Sequence, residues 1–138
     1  MSEISEEIIS IEGLVFGEKL TAENVEKSIE KMKMNHLSFY PNEFLNFLKE
    51  VNGVRYDGAS IFGISNVDID IIEDIVDRNV ELSHLQDTGC FLGENEFDYL
   101  FYNKELKEYQ IVDKMDMEVL ENYSELDDAI AHVLSIEW

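Results

Sequence analysis

Residues 47–63 read FLKEVNGVRYDGASIFG, and this stretch contains a helix end, two turns and a strand. Phe44, Leu45, Phe47, Leu48 and Val51 form a wide apolar helix face. Pro41 opens that helix, where a missing N–H costs nothing. Asn52-Gly53 stops it, and Gly53 is expected to take the left-handed conformation of a C-cap. Asp57-Gly58 is a turn signal, and Ala59 to Ile64 reads as a strand. No catalytic dyad is visible in the stretch.

Toward the N-terminus, Ile4, Ile8 and Ile11 fit one helix face, and Gly13 and Gly17 interrupt the chain beyond it. Thr21 is the expected N-cap of a helix fading near Met34, with Leu20 and Val25 placed as a hydrophobic staple. Toward the C-terminus, Ile69, Ile72 and Val76 predict a third helix from Asp68 to about Asn79. After Asp87 the period changes to two. Thr88 to Gly93, Phe97 to Asn103 and Glu108 to Asp113 read as strands in consecutive antiparallel hairpins, with Phe97, Tyr99 and Phe101 on one face. A short strand is expected around Glu118 to Glu121. Ser124 is the expected cap of a last helix that buries Leu126, Ile130 and Val133. N-terminal helices, a central antiparallel sheet and a closing C-terminal helix make an α+β fold. With no linker or repeat, residues 1–138 are expected to form a single domain.

The 138 residues include 31 acids and 10 bases, a formal net charge of −21, and 45% are hydrophobic. That apolar content supports a packed core rather than disorder. The negative field repels nucleic acid and anionic membranes and attracts basic partners. Cys90 is the only cysteine, which rules out an intrachain disulfide and fits a reducing compartment. The N-terminus lacks the pattern of a secretory signal. No apolar run approaches the roughly 20 residues that span a bilayer. The expectation is a soluble cytoplasmic protein.

Signals for catalysis are weak. His36, His84 and His132 have no ligand-pair spacing, and none lies near Cys90, so no metal site is expected. Nucleophile elbows and nucleotide-binding glycine patterns are missing. Cys90 reads as a buried structural thiol. Asn66 to Ile71 fails the calcium-loop test, because positions six and twelve are not Gly and Glu. One charge pattern is more informative. Asp70, Asp74, Asp77 and Glu81 recur at i, i+4, i+7 and i+11, within a strip about 60° wide on a continuous helix. This is either a solvated outer face or an acidic ridge for a basic partner. Glu94, Glu96 and Asp98, on or beside the first hairpin, are further candidate contacts.

Tyr40-Pro41-Asn42-Glu43-Phe44-Leu45-Asn46-Phe47-Leu48, then Val51-Asn52-Gly53 and Ile61-Phe62-Gly63, resembles the N-terminal signature of the SUKH superfamily (Smi/Knr type). Phe91 to Glu94, Asp98 to Asn103 and Tyr109 to Asp113 resemble its central hairpins, and Tyr123 through Leu134 its closing helix. The likeness covers residues 37–134, with a YrhA-like bacterial branch nearest. It implies an α+β fold, no catalytic site and no cofactor. It also implies the role of an immunity protein that binds and neutralises a cognate toxin domain, often a nuclease. The basic groove of such a nuclease suits an acidic surface. The alternative expectation is a regulatory scaffold for an endogenous cytosolic protein, as among the family's eukaryotic members. A carboxylate hydrolase is the third reading.

Overall fold

In the computed structural model, residues 1–64 and 72–138 are described. The fold is mixed α+β. Among the described residues there are five helices: α1 (Glu3–Ile9), α2 (Ala22–Met34), α3 (Asn42–Glu50), α4 (Ile75–Leu82) and α5 (Leu126–Leu134). The strands are β1 (Val15–Phe16), β2 (Val54–Tyr56), β3 (Ala59–Ile61), β4 (Gly89–Glu94), β5 (Asp98–Asn103), β6 (Glu108–Asp113) and β7 (Val119–Tyr123). They form one open antiparallel sheet whose order follows the chain, from β1 at one edge to β7 at the other. A continuous core joins Ile4 and Ile8 of α1, Phe44 and Leu48 of α3, Phe91 and Leu100 of the sheet, and Ala129 and Ile130 of α5. No helix among the described residues is long and apolar enough to cross a membrane.

Local chemistry explains most element boundaries. The Thr21 hydroxyl accepts from the Asn24 N–H and starts α2 as expected. The β2–β3 hairpin has two turn residues, Asp57 and Gly58, with φ of 47° and 83°. Such primed turns match the twist of the flanking strands, and Asp-Gly tolerates both positive angles. The three long strands fall within a residue or two of the expected spans.

Four expectations need correction. Gly53 has a φ of 81° but does not cap α3. Val51 closes that helix in an extended conformation, and the Gly53 N–H bonds to Val51 O at 2.9 Å. Gly53 is needed at the tight turn into β2, where a Cβ would collide with Ile72 Cγ2. The strand expected over Ala59 to Ile64 ends at Ile61. The third helix begins at Ile75, with Asp74 as its N-cap. Finally, Ser124 is not the cap of α5. That helix is capped from α3, because Glu43 Oε1 accepts both the Leu126 N–H (3.2 Å) and the Tyr109 hydroxyl (2.9 Å).

Asn52 and Asn79, both buried, tie the helices to the sheet in the same way. The Asn52 amide donates to Ile64 O (2.8 Å) and Glu18 O (2.7 Å), and its Oδ1 accepts from the Ile64 N–H (2.8 Å). The Asn79 amide donates to Phe91 O and Ile75 O, and its Oδ1 accepts from the Phe91 N–H, each at 2.8 Å. In each case a side chain does the work of a neighbouring strand, satisfying both polar groups of one residue where strand pairing has run out. Gly63 is required beside the first clamp, since a Cβ there would lie 2.9 Å from Asn52 Oδ1.

Replacing Asn52 with Ala would strand the two buried backbone groups of Ile64, each costing about 1–3 kcal/mol, and free the part-buried Glu18 carbonyl. The expected loss is about 3 kcal/mol or more of unfolding free energy, read from urea denaturation against an exposed control such as Asn46→Ala. A loss no larger than the control's would show that the clamp is not needed.

Candidate partner-binding surface

In an antiparallel meander, alternate turns share an end of the sheet. The turns β2–β3, β4–β5 and β6–β7 therefore converge, and α5 ends beside them. Asn95 builds the centre of this end. Its Oδ1 accepts from the Phe97 (3.1 Å) and Asp98 (2.9 Å) N–H groups, and its amide donates to Val133 O near the end of α5 (3.4 Å). That loop pushes Phe97 outward, leaving it 71% exposed, while Tyr99 packs edge-on to Phe91. Phe97 therefore does not share a face with Tyr99 and Phe101. The Lys114 N–H bonds to Phe97 O at 3.0 Å, which brings exposed Met115 to the same rim.

Two clefts flank this central turn. One, of about 220 Å³, is lined by Asp57, Glu96, Phe97 and Asp98 and by Val133 to Ser135 at the end of α5. Among the described residues it has three carboxylates and no basic side chain. The partial negative charge of a helix C-terminus adds to that field. The other cleft, of about 340 Å³, holds Arg55, Arg78 and Lys114 among carboxylates. In it, Glu94 bridges two cations: Oε2 accepts from Arg78 Nη2 (2.6 Å) and Nε (3.1 Å), and Oε1 accepts from Lys114 Nζ (2.8 Å). Arg78 lies over the Phe62 ring and Lys114 over Tyr99. Burial disfavours the Arg78 charge, but the Glu94 carboxylate more than offsets this and raises its pKa.

The candidate acids meet different fates. Asp70 lies outside the described residues. Asp74 Oδ2 accepts from the N–H groups of Val76 (3.1 Å) and Asp77 (3.0 Å), so it caps α4 and is not part of a helical ridge. Asp77 and Glu81 are exposed on α4, and Glu81 pairs with Arg78 at 3.2 Å. Glu94 is engaged internally. Glu96 is exposed, and Asp98 is half-buried opposite Asp113. The expected ridge is therefore not assembled among the described residues, while Glu94, Glu96 and Asp98 do converge. Asp57, Phe97 and Met115 complete the surface and were missed. The signal was available in the hairpin pattern, because alternate turns must share an end. Cys90 is fully buried, and burial pushes its thiol pKa up. His132 is exposed on α5, with Nδ1 at 2.7 Å from the Tyr123 hydroxyl.

No protein-family model matches this chain, and no curated protein matches it.

The electrostatics can be tested at two positions. Glu94→Ala would leave two partly buried cations without their shared carboxylate, and a loss of about 1–3 kcal/mol is expected. Glu96→Ala, at an exposed position, should stay within about 0.5 kcal/mol of the parent. Equal denaturation midpoints for the two variants would contradict this division. The other position is Asp127 in the first turn of α5. Burial, then Glu43, Asp128, Glu125 and Glu50, hold its carboxyl pKa above the ordinary value. The folded state therefore binds this proton more tightly than the unfolded state. Stability contributed by the group is lost as pH rises from the unfolded pKa through the folded one. Asp127→Asn should raise the thermal midpoint at neutral pH, with the gain vanishing below the unfolded carboxylate pKa of about 3.9. A gain that persists unchanged in acid would assign the effect to packing.

Proposed function

We propose that this chain is an immunity-type binding protein, SUKH-like and non-catalytic, that neutralises a basic toxin domain in the cytoplasm. The observation that carries this reading is the acidic cleft. Asp57, Glu96 and Asp98 line it with no base among the described residues, and exposed Phe97 stands at its edge. A Lys or Arg from the partner would find carboxylates, a helix C-terminus and the face of an aromatic ring, which attracts cations. Exposed Met115 adds apolar contact beside the cleft. The net charge of −21 steers a basic partner into encounter, and such steering acts chiefly on the association rate. The order of sequence motifs over residues 37–134 supports the family assignment. A basic groove that binds a phosphate backbone is the kind of toxin surface best complemented here.

The test uses the toxin domain recovered with this chain in a pull-down from its native cells. Coexpression should abolish its toxicity, and association should slow as salt rises. A variant combining Asp57→Asn, Glu96→Gln, Phe97→Ser and Asp98→Asn should associate about tenfold more slowly at low salt, or slower still. Asp77→Lys on α4 should change the rate much less. Unchanged kinetics in the folded quadruple variant would remove this end of the sheet as the docking face. Failure to protect against the toxin domain would remove the immunity reading itself.

A further inference from the structure

One edge of the sheet is left open. Among the described residues β7 pairs with β6 alone. A strand with one face covered alternates between buried and exposed residues. Glu118, Val119, Leu120, Glu121 and Asn122 are instead all exposed, so neither face of this segment is closed over. Two of them are large and apolar, with Val119 42% and Leu120 50% exposed.

The backbone is open as well. The Asp113 N–H bonds to Glu118 O at 2.9 Å, which fixes the phase of the ladder. Val119 opposite Val112 and Asn122 opposite Gln110 are then the pairs that exchange no backbone bonds, with Leu120 as the extra residue of a bulge. Val119 and Asn122 therefore turn their N–H and C=O groups away from β6. Free backbone groups on an edge are a template for another strand.

Charge decides which strand. Asp116, Glu118, Glu121 and Glu125 lie on or beside β7, and residues 115–138 contain no Lys or Arg. None of these four acids has an ion-pair partner among the described residues. Lys114 is bonded to Glu94 at 2.8 Å. Lys104 and Lys107 belong to the β5–β6 turn, beyond the Tyr109–Tyr123 pair at the far end of the strand. His132 on α5 is engaged with the Tyr123 hydroxyl. A second copy of this chain would set acid against acid, and like charges across a ladder repel. The bulge also works against pairing with an identical edge, because it increases the local twist.

We propose that β7 accepts a short, basic, extended segment of a partner protein as an added strand. Its Lys or Arg side chains meet Glu118 and Glu121, and its β-branched side chains cover Val119 and Leu120. The edge is separate from the acidic cleft, which is lined from the β2–β3 and β4–β5 turns and the end of α5, so either can fail without the other.

The experiment is an NMR titration of the isotope-labelled full chain with the peptide acetyl-KVRVKVT-amide at constant ionic strength. Acetyl-KGRGKGS-amide carries the same charge with little strand propensity, and acetyl-EVEVEVT-amide reverses the sign. Saturable shifts are expected along residues 118–123, with hydrogen exchange at the Val119 and Asn122 amides slowed about tenfold or more in the complex. Both comparison peptides should bind more weakly by about fivefold or more. Val119→Pro removes an outward N–H and no bond to β6, so it should fold, as proline does on an edge with that side to solvent. It should weaken binding about fivefold, the worth of one hydrogen bond. Glu121→Gln, which leaves the backbone unchanged, should weaken it too. Equal affinity for the glycine peptide, shifts confined to the cleft residues Asp57 and Glu96, or no saturation would overturn the proposal. So would self-association of the free chain that Val119→Pro abolishes, which would assign the edge to a second copy.

Discussion

The arrangement rests on a single amide. Asn52 follows α3 and binds Ile64 beyond β3 and Glu18 beyond β1, so one buried side chain fixes three chain segments that are far apart in sequence. Its backbone oxygen takes the Gly17 N–H as well. An apolar residue of similar size would leave those groups unsatisfied, and a carboxylate could not donate to the two carbonyls. Asn79 repeats the arrangement between α4 and β4. With these two amides in place, strands as short as two or three residues can belong to a stable sheet, because their ends are held by side chains rather than by further pairing.

How much of the fold was legible in the sequence depends on the range of each interaction. The three long strands were legible because period-two alternation and polar turns are local. Thr21 was legible because its capping partner is three residues away. The α5 cap was not legible, since Glu43 reaches Leu126 from another helix, and no local pattern at Ser124 reports that contact. β1 and β2 were too short to show a period. The start of α4 was misplaced because the spacing of Ile69, Ile72 and Val76 was followed past a better local signal: Asp74 immediately before a helical run, with acidic Asp77 in its first turn. The same error suggested a ridge of acids. At the candidate surface, Glu96 and Asp98 were found by charge alone. Asp57 and Phe97 needed the further step of noting which turns share an end.

The acids are not one undifferentiated coat. Asp74 and Glu43 cap helices, Glu50 accepts from the Ser2 backbone N–H, and Glu94 holds two cations. Each of these has a structural partner and contributes to the fold. Glu96 and Asp57 are exposed at the turns, where a charge is available to something outside the molecule. Counting carboxylates could not separate these groups, but the geometry does. It also shows both arginines on one side of a turn whose other side has no base among the described residues.

The order of the sheet has a consequence for how such a protein can diversify. Consecutive strands are always neighbours, yet two of the connections, residues 17–53 and 62–88, are long excursions that carry α2, α3 and α4. The entropic cost of closing a loop grows only slowly with its length. Insertions or deletions within either excursion can therefore be absorbed while strand register stays the same, provided the asparagine that closes the excursion is kept. The chain thus separates a constant frame from two adjustable inserts. The inserts can be remodelled without the fold having to be rediscovered.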